Sequence, residues 1–111
     1  MIKVAILGYG TVGSGVFQII KENKELITNK AGQEIDIKYV LDLREFPGDP
    51  CENVLVHDYN IILNDPEVEV IIEVMGGLKP SYDFVKSALE AGKSVCTSNK
   101  ELVAKIWCRI N

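Results

Sequence analysis

Ile2-Lys3-Val4-Ala5-Ile6-Leu7-Gly8-Tyr9-Gly10-Thr11-Val12-Gly13 is the stretch whose reading decides the fold. Residues 2 to 7 are almost wholly apolar, as in a parallel strand covered on both faces. After the glycines, Val12, Val16, Ile19 and Ile20 recur at helical spacing, which predicts a helix with those residues on its buried face. Strand, glycine turn and helix therefore come in the order that gives G-x-G-x-x-G a physical meaning. Gly8 allows a tight turn, Gly10 carries no Cβ to hold a pyrophosphate away from the backbone, and Gly13 lets helix and strand pack closely. The free N–H groups of the first helical turn, around Thr11 and Val12, and the positive end of the helix dipole then face phosphate. A flexible loop would also explain three close glycines, but would not require a strand before them and a helix after.

Working outward, the polar stretch Thr28 to Gln33 reads as a connection, and residues 34 to 41 alternate before becoming continuously apolar, as a second strand. Asp42 stands at its end. In a dinucleotide fold this position faces the adenosine ribose: a carboxylate accepts hydrogen bonds from the ribose hydroxyls, whereas an arginine pairs with a 2′-phosphate. Both types occur here, as Asp42 and Arg44, and they pull in opposite directions. The pair favours NAD with tolerance of NADP. Asp42 lies further past Gly13 than the usual spacing of about 20 residues, and the connection at 28 to 33 accounts for the excess.

Pro47, Gly48, Asp49 and Pro50 predict repeated turns over residues 45 to 53. A short helix is expected from Asp58 to Asn64, with Ile61, Ile62 and Leu63 against a sheet, ending before Pro66. Residues 68 to 74 read as a third strand, closed by a second glycine turn at Gly76-Gly77 that falls on the ligand side. A helix from Ser81 to Ala91, marked by Val85, Ala88 and Leu89, stops at Gly92. Residues 94 to 97 make a fourth strand, with Ser98-Asn99-Lys100 at its end, and Glu101 to Trp107 begins another helix with Leu102, Val103 and Ile106 on one face. Alternating strands and helices predict an α/β fold: a Rossmann-like doubly wound parallel sheet, incomplete at about four strands, in one domain over residues 1 to 111.

The remaining composition narrows the function. With 12 Lys and Arg against 16 Asp and Glu the net charge is −4, which argues against nucleic acid or an anionic membrane as main partner. Lys3 interrupts anything like a signal segment and no apolar run approaches the ~20 residues of a membrane span, so a cytoplasmic location is expected. Cys51, Cys96 and Cys108 lack metal-ligand spacing and read as reduced thiols in ordinary packing. His57, the only histidine, is assigned no role.

Three stretches together resemble the amino-terminal cofactor domain of homoserine dehydrogenase: residues 4 to 13, then Glu73-Val74-Met75-Gly76-Gly77, then the run from Ala91 to Ala104 that contains Thr97-Ser98-Asn99-Lys100-Glu101. The first is common to many dehydrogenases and the other two, in this order, are far more specific. The similarity extends over residues 2 to 105 and weakens in the tail, Ile106 to Asn111. It implies an NAD(P)-dependent enzyme of threonine and methionine biosynthesis that interconverts L-homoserine and L-aspartate 4-semialdehyde. It also implies that the backbone around Gly10, Thr11 and Val12 holds the pyrophosphate, and that Lys100 lies near the nicotinamide and the reacting oxygen, where an ammonium stabilises an alkoxide. Homoserine dehydrogenases continue into a substrate and dimerisation region that supplies carboxylates for the homoserine amino group and a second lysine. The chain is therefore expected to be a truncated product or a cut cofactor domain of such an enzyme, to meet homoserine or aspartate semialdehyde only with that region, to be inactive alone, and to associate through the uncovered surface or be poorly soluble. A stand-alone dinucleotide-binding sensor, or the amino-terminal half of another amino-acid-pathway dehydrogenase, are the other readings; the Thr97 to Lys100 segment weighs against both.

Overall fold

The computed structural model describes residues 2–23, 25, 29, 32, 34–75 and 81–97. Strand β1 (Ile2–Leu7) leads to helix α1 (Thr11–Glu22) and strand β2 (Ile35–Leu41). A 3-10 turn (Pro50–Val54), strand β3 (Leu55–Val56) and helix α2 (Tyr59–Leu63) follow, then strand β4 (Val68–Glu73), helix α3 (Ser81–Glu90) and strand β5 (Ser94–Thr97). All the strand pairs are parallel, in the order β3-β2-β1-β4-β5. β1 is central, as its apolar sequence requires: Ala5, Ile6 and Leu7 have no solvent exposure.

Side chains alternate across the sheet and build one core on each face. On one side Ala5, Leu7, Leu41 and Ile71 pack against Tyr59 and Ile62 of α2 and Ala88 of α3. On the other, Ile6, Ile37 and Val40 pack against Phe17 of α1, Tyr9 and Cys51. Helices therefore cover both faces, and Phe17→Ala would cost ~3–5 kcal/mol by emptying the second core of its aromatic anchor.

The register sets the height of the site. Leu7 lies between Leu41 and Glu73, and Glu73 beside Thr97, so four strands end level along one rim. Backbone bonds close the turns there: Gly8 N–H donates to the Leu41 carbonyl (2.8 Å), Val74 N–H to that of Leu7 (3.0 Å) and Asp42 N–H to that of Val56 (3.2 Å).

Several expectations are corrected. The described sheet has five strands rather than about four, because Leu55–Val56 pairs with Val40 and Leu41; two residues carry no periodicity to read. Between Pro47 and Val54 the chain turns at Gly48 (φ +80°) and then forms a 3-10 turn whose start is capped by the Asp49 carboxylate accepting from Cys51 N–H, which buries Cys51. The inward face of α1 is Gly13 and Phe17 with Val16 and Ile20 beside them, whereas Val12 and Ile19 are exposed. At 100° per residue the Phe17 stripe sets the buried direction, and Val12 and Ile19 fall on its flank. Ile61 and Leu89 likewise point outward, with Ile62 in one helix and Tyr82, Val85 and Ala88 in the other turned inward. β2 and β4 are each one residue shorter than residues 34 to 41 and 68 to 74 suggested; after Glu73 the chain turns so that Met75 N–H meets the Glu73 side chain. Cys96 is exposed rather than packed. The helix expected over residues 101 to 107, and Cys108, lie outside the described residues.

Candidate functional site

Where β1, β2 and β4 end, a crevice of about 450 Å³ opens on the rim of the sheet. Gly8, Tyr9 and Gly10 form one wall, Leu41 to Arg44 a second, and Val74 with Met75 a third; His57, Tyr59 and Phe84 close it. This is where the strand order reverses from β1 to β4, the position at which open α/β sheets bind ligands.

The glycine turn is built for close approach. Gly8 adopts φ +99°, a conformation that L side chains rarely take, and a Cβ there would stand 3.0 Å from Met75 Cα. A Cβ on Gly13 would lie 2.0 Å from the Gly8 carbonyl oxygen, so the first turn of α1 can sit on the end of β1 only with glycine there. At Gly10 a Cβ would meet nothing within 4 Å among the described residues beyond its chain neighbours. The fold itself does not need glycine at that position, and the room beside it is open. Gly10 also caps α1 with no side-chain hydrogen bond, and no acidic residue stands in the first turn. Among the described residues no N-cap side chain therefore takes up the backbone N–H groups of the first turn, around Thr11 and Val12, and an anion suits them.

The Asp42 carboxylate is only 9% exposed and is crowded with donors. It accepts from Tyr9 N–H (2.9 Å), from Arg44 N–H (2.9 Å), and from the Arg44 guanidinium at Nε (3.0 Å) and Nη2 (2.9 Å). The Arg44 guanidinium, helped by the backbone donors and opposed by burial, holds this carboxyl well below the ordinary carboxylate range, so it is ionised at any physiological pH. Arg44 lies over the Phe46 ring, 5.2 Å from its centroid. The structure thus joins Asp42 and Arg44, which the sequence set in opposition. A guanidinium carries five N–H donors, and this pairing leaves three of them for other groups.

Sequence reading passed over several residues here. Tyr9 is buried edge-on against Phe17 and Phe46, and its hydroxyl donates to Asp49 (2.6 Å); burial, then that bond, pushes the phenol upward. Burial likewise raises the Cys51 thiol to about 11. His57 bonds the Asp42 carbonyl through Nδ1 (2.6 Å) and the Glu45 carboxylate through Nε2 (2.9 Å). Both partners only accept, so both bonds form together only on the imidazolium, and the bond to the Asp42 carbonyl raises the His57 pKa. Tyr59 stacks on Phe84 (4.2 Å between centroids) and donates to the Phe84 carbonyl (2.6 Å). Leu43, apolar yet 87% exposed beside Asp42, also lines the crevice. Gly76, Gly77 and Lys100 lie outside the described residues. Among the described residues no cluster of His, Cys, Asp or Glu could hold a metal ion, and no helix is long and apolar enough to cross a membrane.

The family model described as homoserine dehydrogenase, NAD binding domain, matches residues 8–110. The chain is 39% identical over 106 residues to homoserine dehydrogenase from Bacillus subtilis and 36% over 104 residues to that from Pseudomonas aeruginosa, in each case over 93% of this chain and 24% of the relative. Among solved structures, homoserine dehydrogenase from Thiobacillus denitrificans superposes with a TM-score of 0.85 at 36% identity, over 98% of this chain and 26% of that one. The S. aureus homoserine dehydrogenase at pH 7.0 gives 0.80 at 41% identity, over 89% and 26%. The chain spans about a quarter of the length of these relatives.

Proposed function

This chain belongs to the homoserine dehydrogenase NAD-binding-domain family, and from that premise we propose that it is the cofactor-holding part of an enzyme interconverting L-homoserine and L-aspartate 4-semialdehyde. The observation that carries the reading is the turn from Gly8 to Gly13. It combines a close approach that only glycine permits with open space at Gly10 and a helix start that no side chain caps. Gly8, Gly10, Thr11, Val12 and Gly13 would hold the pyrophosphate of NAD or NADP, Asp42 the adenosine ribose, and Gly76 with Gly77 the edge of the cofactor beyond β4. When bound, the cofactor supplies a nicotinamide ring that accepts or returns hydride.

Lys100, as the catalytic residue, would stabilise the alkoxide oxygen as hydride leaves carbon. The hydroxyl proton must also be removed and the alcohol carbon held in place, and such positioning is worth roughly 7–11 kcal/mol in well-oriented systems. That work falls to a substrate and dimerisation region, which these 111 residues leave to other parts of the enzyme. Cytoplasmic location and homo-oligomer formation belong to the same proposal. Asp42 favours NAD, and the three remaining donors of Arg44 allow NADP.

The test is calorimetric titration of the 111-residue chain with NAD and NADP beside an assay of NAD(P) reduction with L-homoserine. Binding without turnover is expected. Absence of binding to either dinucleotide would overturn the cofactor assignment, and robust homoserine-dependent reduction would show that the substrate site has been misplaced.

A further inference from the structure

Glu73 is the last residue of β4, carries a carboxylate and is wholly inaccessible to solvent. Nothing in the cofactor site as described uses it. β4 is otherwise rich in β-branched residues, and its other glutamate, Glu69, is exposed as a strand carboxylate ordinarily is. Burying a carboxylate is costly unless donors satisfy it, so an apolar residue would serve the sheet better at this point. The donors show what the burial achieves. Oε1 accepts from Met75 N–H (2.8 Å) and Oε2 accepts from the Thr97 hydroxyl. Met75 directly precedes Gly76-Gly77, and Thr97 directly precedes Ser98-Asn99-Lys100. One buried side chain therefore binds, from inside the sheet, residues at the ends of two neighbouring strands.

The strand order states which half of a dinucleotide the ends of β4 and β5 would face. With Asp42 at the end of β2 facing the adenosine ribose, and the pyrophosphate at the β1 turn, the second nucleotide continues past the reversal of strand order to the β4 and β5 side. We infer that Glu73 is a positioning residue that sets the β4 and β5 ends for the nicotinamide half of the cofactor, an inference that rests on the dinucleotide reading above. Glu73 does not touch the cofactor; it acts through Met75 and Thr97. Of its two partners Met75 also lines the crevice beside Gly8, whereas Thr97, at the end of β5, is not among the residues lining it, so Thr97→Val is the variant that best separates the two halves of the cofactor.

That division supplies a readout that general destabilisation would not give. The 111-residue chain is titrated with NAD and, separately, with ADP-ribose, which has both phosphates and the adenosine but no nicotinamide. Glu73→Met and Thr97→Val are each expected to weaken NAD by about tenfold, as for the loss of a hydrogen bond to a charged group, and ADP-ribose by less than about twofold. Glu73→Gln, whose amide oxygen still accepts from Met75 N–H and whose amide group reaches the Thr97 hydroxyl, restores most of the NAD affinity. Should Glu73→Met fail to fold, Thr97→Val decides alone, since it removes one donor and keeps the shape. A parallel loss for both ligands, unchanged NAD binding by Thr97→Val, or equal affinity of the unaltered chain for NAD and ADP-ribose overturns the inference and leaves the dinucleotide site standing. An unaltered chain that binds neither ligand overturns both.

Discussion

The backbone N–H of Tyr9 donates to the carboxylate of Asp42 over 2.9 Å, so the turn after β1 is held by the residue that ends β2. The same carboxylate binds the Arg44 guanidinium and backbone. Asp42 is thus a structural joint of the crevice as well as the residue proposed for the ribose. Asp42→Ala leaves Tyr9 N–H without its acceptor and Arg44 without its anion, and should destabilise the chain by about 1.5–3 kcal/mol. NAD should weaken more than NADP, because the carboxylate that repels a 2′-phosphate is gone. Urea unfolding and paired calorimetric titrations measure the two effects, and unchanged stability would remove Asp42 from the joint.

Gly10 and Gly13 separate binding from folding. A Cβ at Gly10 meets nothing within 4 Å among the described residues beyond its chain neighbours, so Gly10→Val should keep far-UV circular dichroism and the melting temperature while abolishing dinucleotide binding. Gly13→Ala would place its Cβ 2.0 Å from the Gly8 oxygen, forcing α1 off the sheet at a cost of at least ~1–3 kcal/mol. Undiminished binding by Gly10→Val would place the phosphates elsewhere.

Arg44 serves Asp42 through Nε and Nη2 and lies over Phe46, with the rest of its guanidinium toward solvent. Arg44→Ala should weaken NADP by roughly tenfold and NAD by less than about threefold, since only the former gains from a cation facing its 2′-phosphate. Equal losses would show that the guanidinium acts only by orienting Asp42.

Much of this was legible in the residues because buried parallel strands write themselves as apolar runs and a phosphate turn demands glycine at fixed offsets. Ala5 to Leu7, Val68 to Ile72 and Gly8 to Gly13 needed only local rules. Where the reading failed, the information was not local. Leu55–Val56 is a strand only because Leu41 offers it an edge. Phe17 governs the orientation of α1 through contact with Tyr9, a residue of the preceding turn. His57 and Asp42 meet across 15 positions. Glu69 and Glu73 are the same residue type in one strand, yet one is exposed at the irregularity where the pairing with β1 slips from Val68 to Val70, and the other is buried where Met75 N–H and the Thr97 hydroxyl donate to it.

The acid limb of stability should carry the signature of Asp65. Its carboxylate accepts from Lys38 Nζ (2.6 Å), the Tyr39 hydroxyl (2.7 Å) and Glu67 N–H (2.9 Å), tying the middle of β2 to the loop before β4. Lys38, then Tyr39, then the backbone donor lower its pKa from 3.8 to about 2. A carboxyl whose pKa is depressed on folding favours the folded state in its ionised form, so its contribution is complete above 3.8 and disappears as pH falls toward about 2. Asp42 and Asp49 are shifted in the same direction, by Arg44 and by Tyr9, and add to the same limb. Comparison with Asp65→Asn isolates the one group: the amide keeps an acceptor for Glu67 N–H but has no charge to lose. Urea midpoints measured from about pH 5 downward should show the unaltered chain ahead of Asp65→Asn above pH 4, with the gap closing as the carboxyl protonates. A gap that stays constant with pH would mean that Asp65 contributes hydrogen bonds and shape but no linked proton, and that the Lys38 pairing adds nothing to the fold.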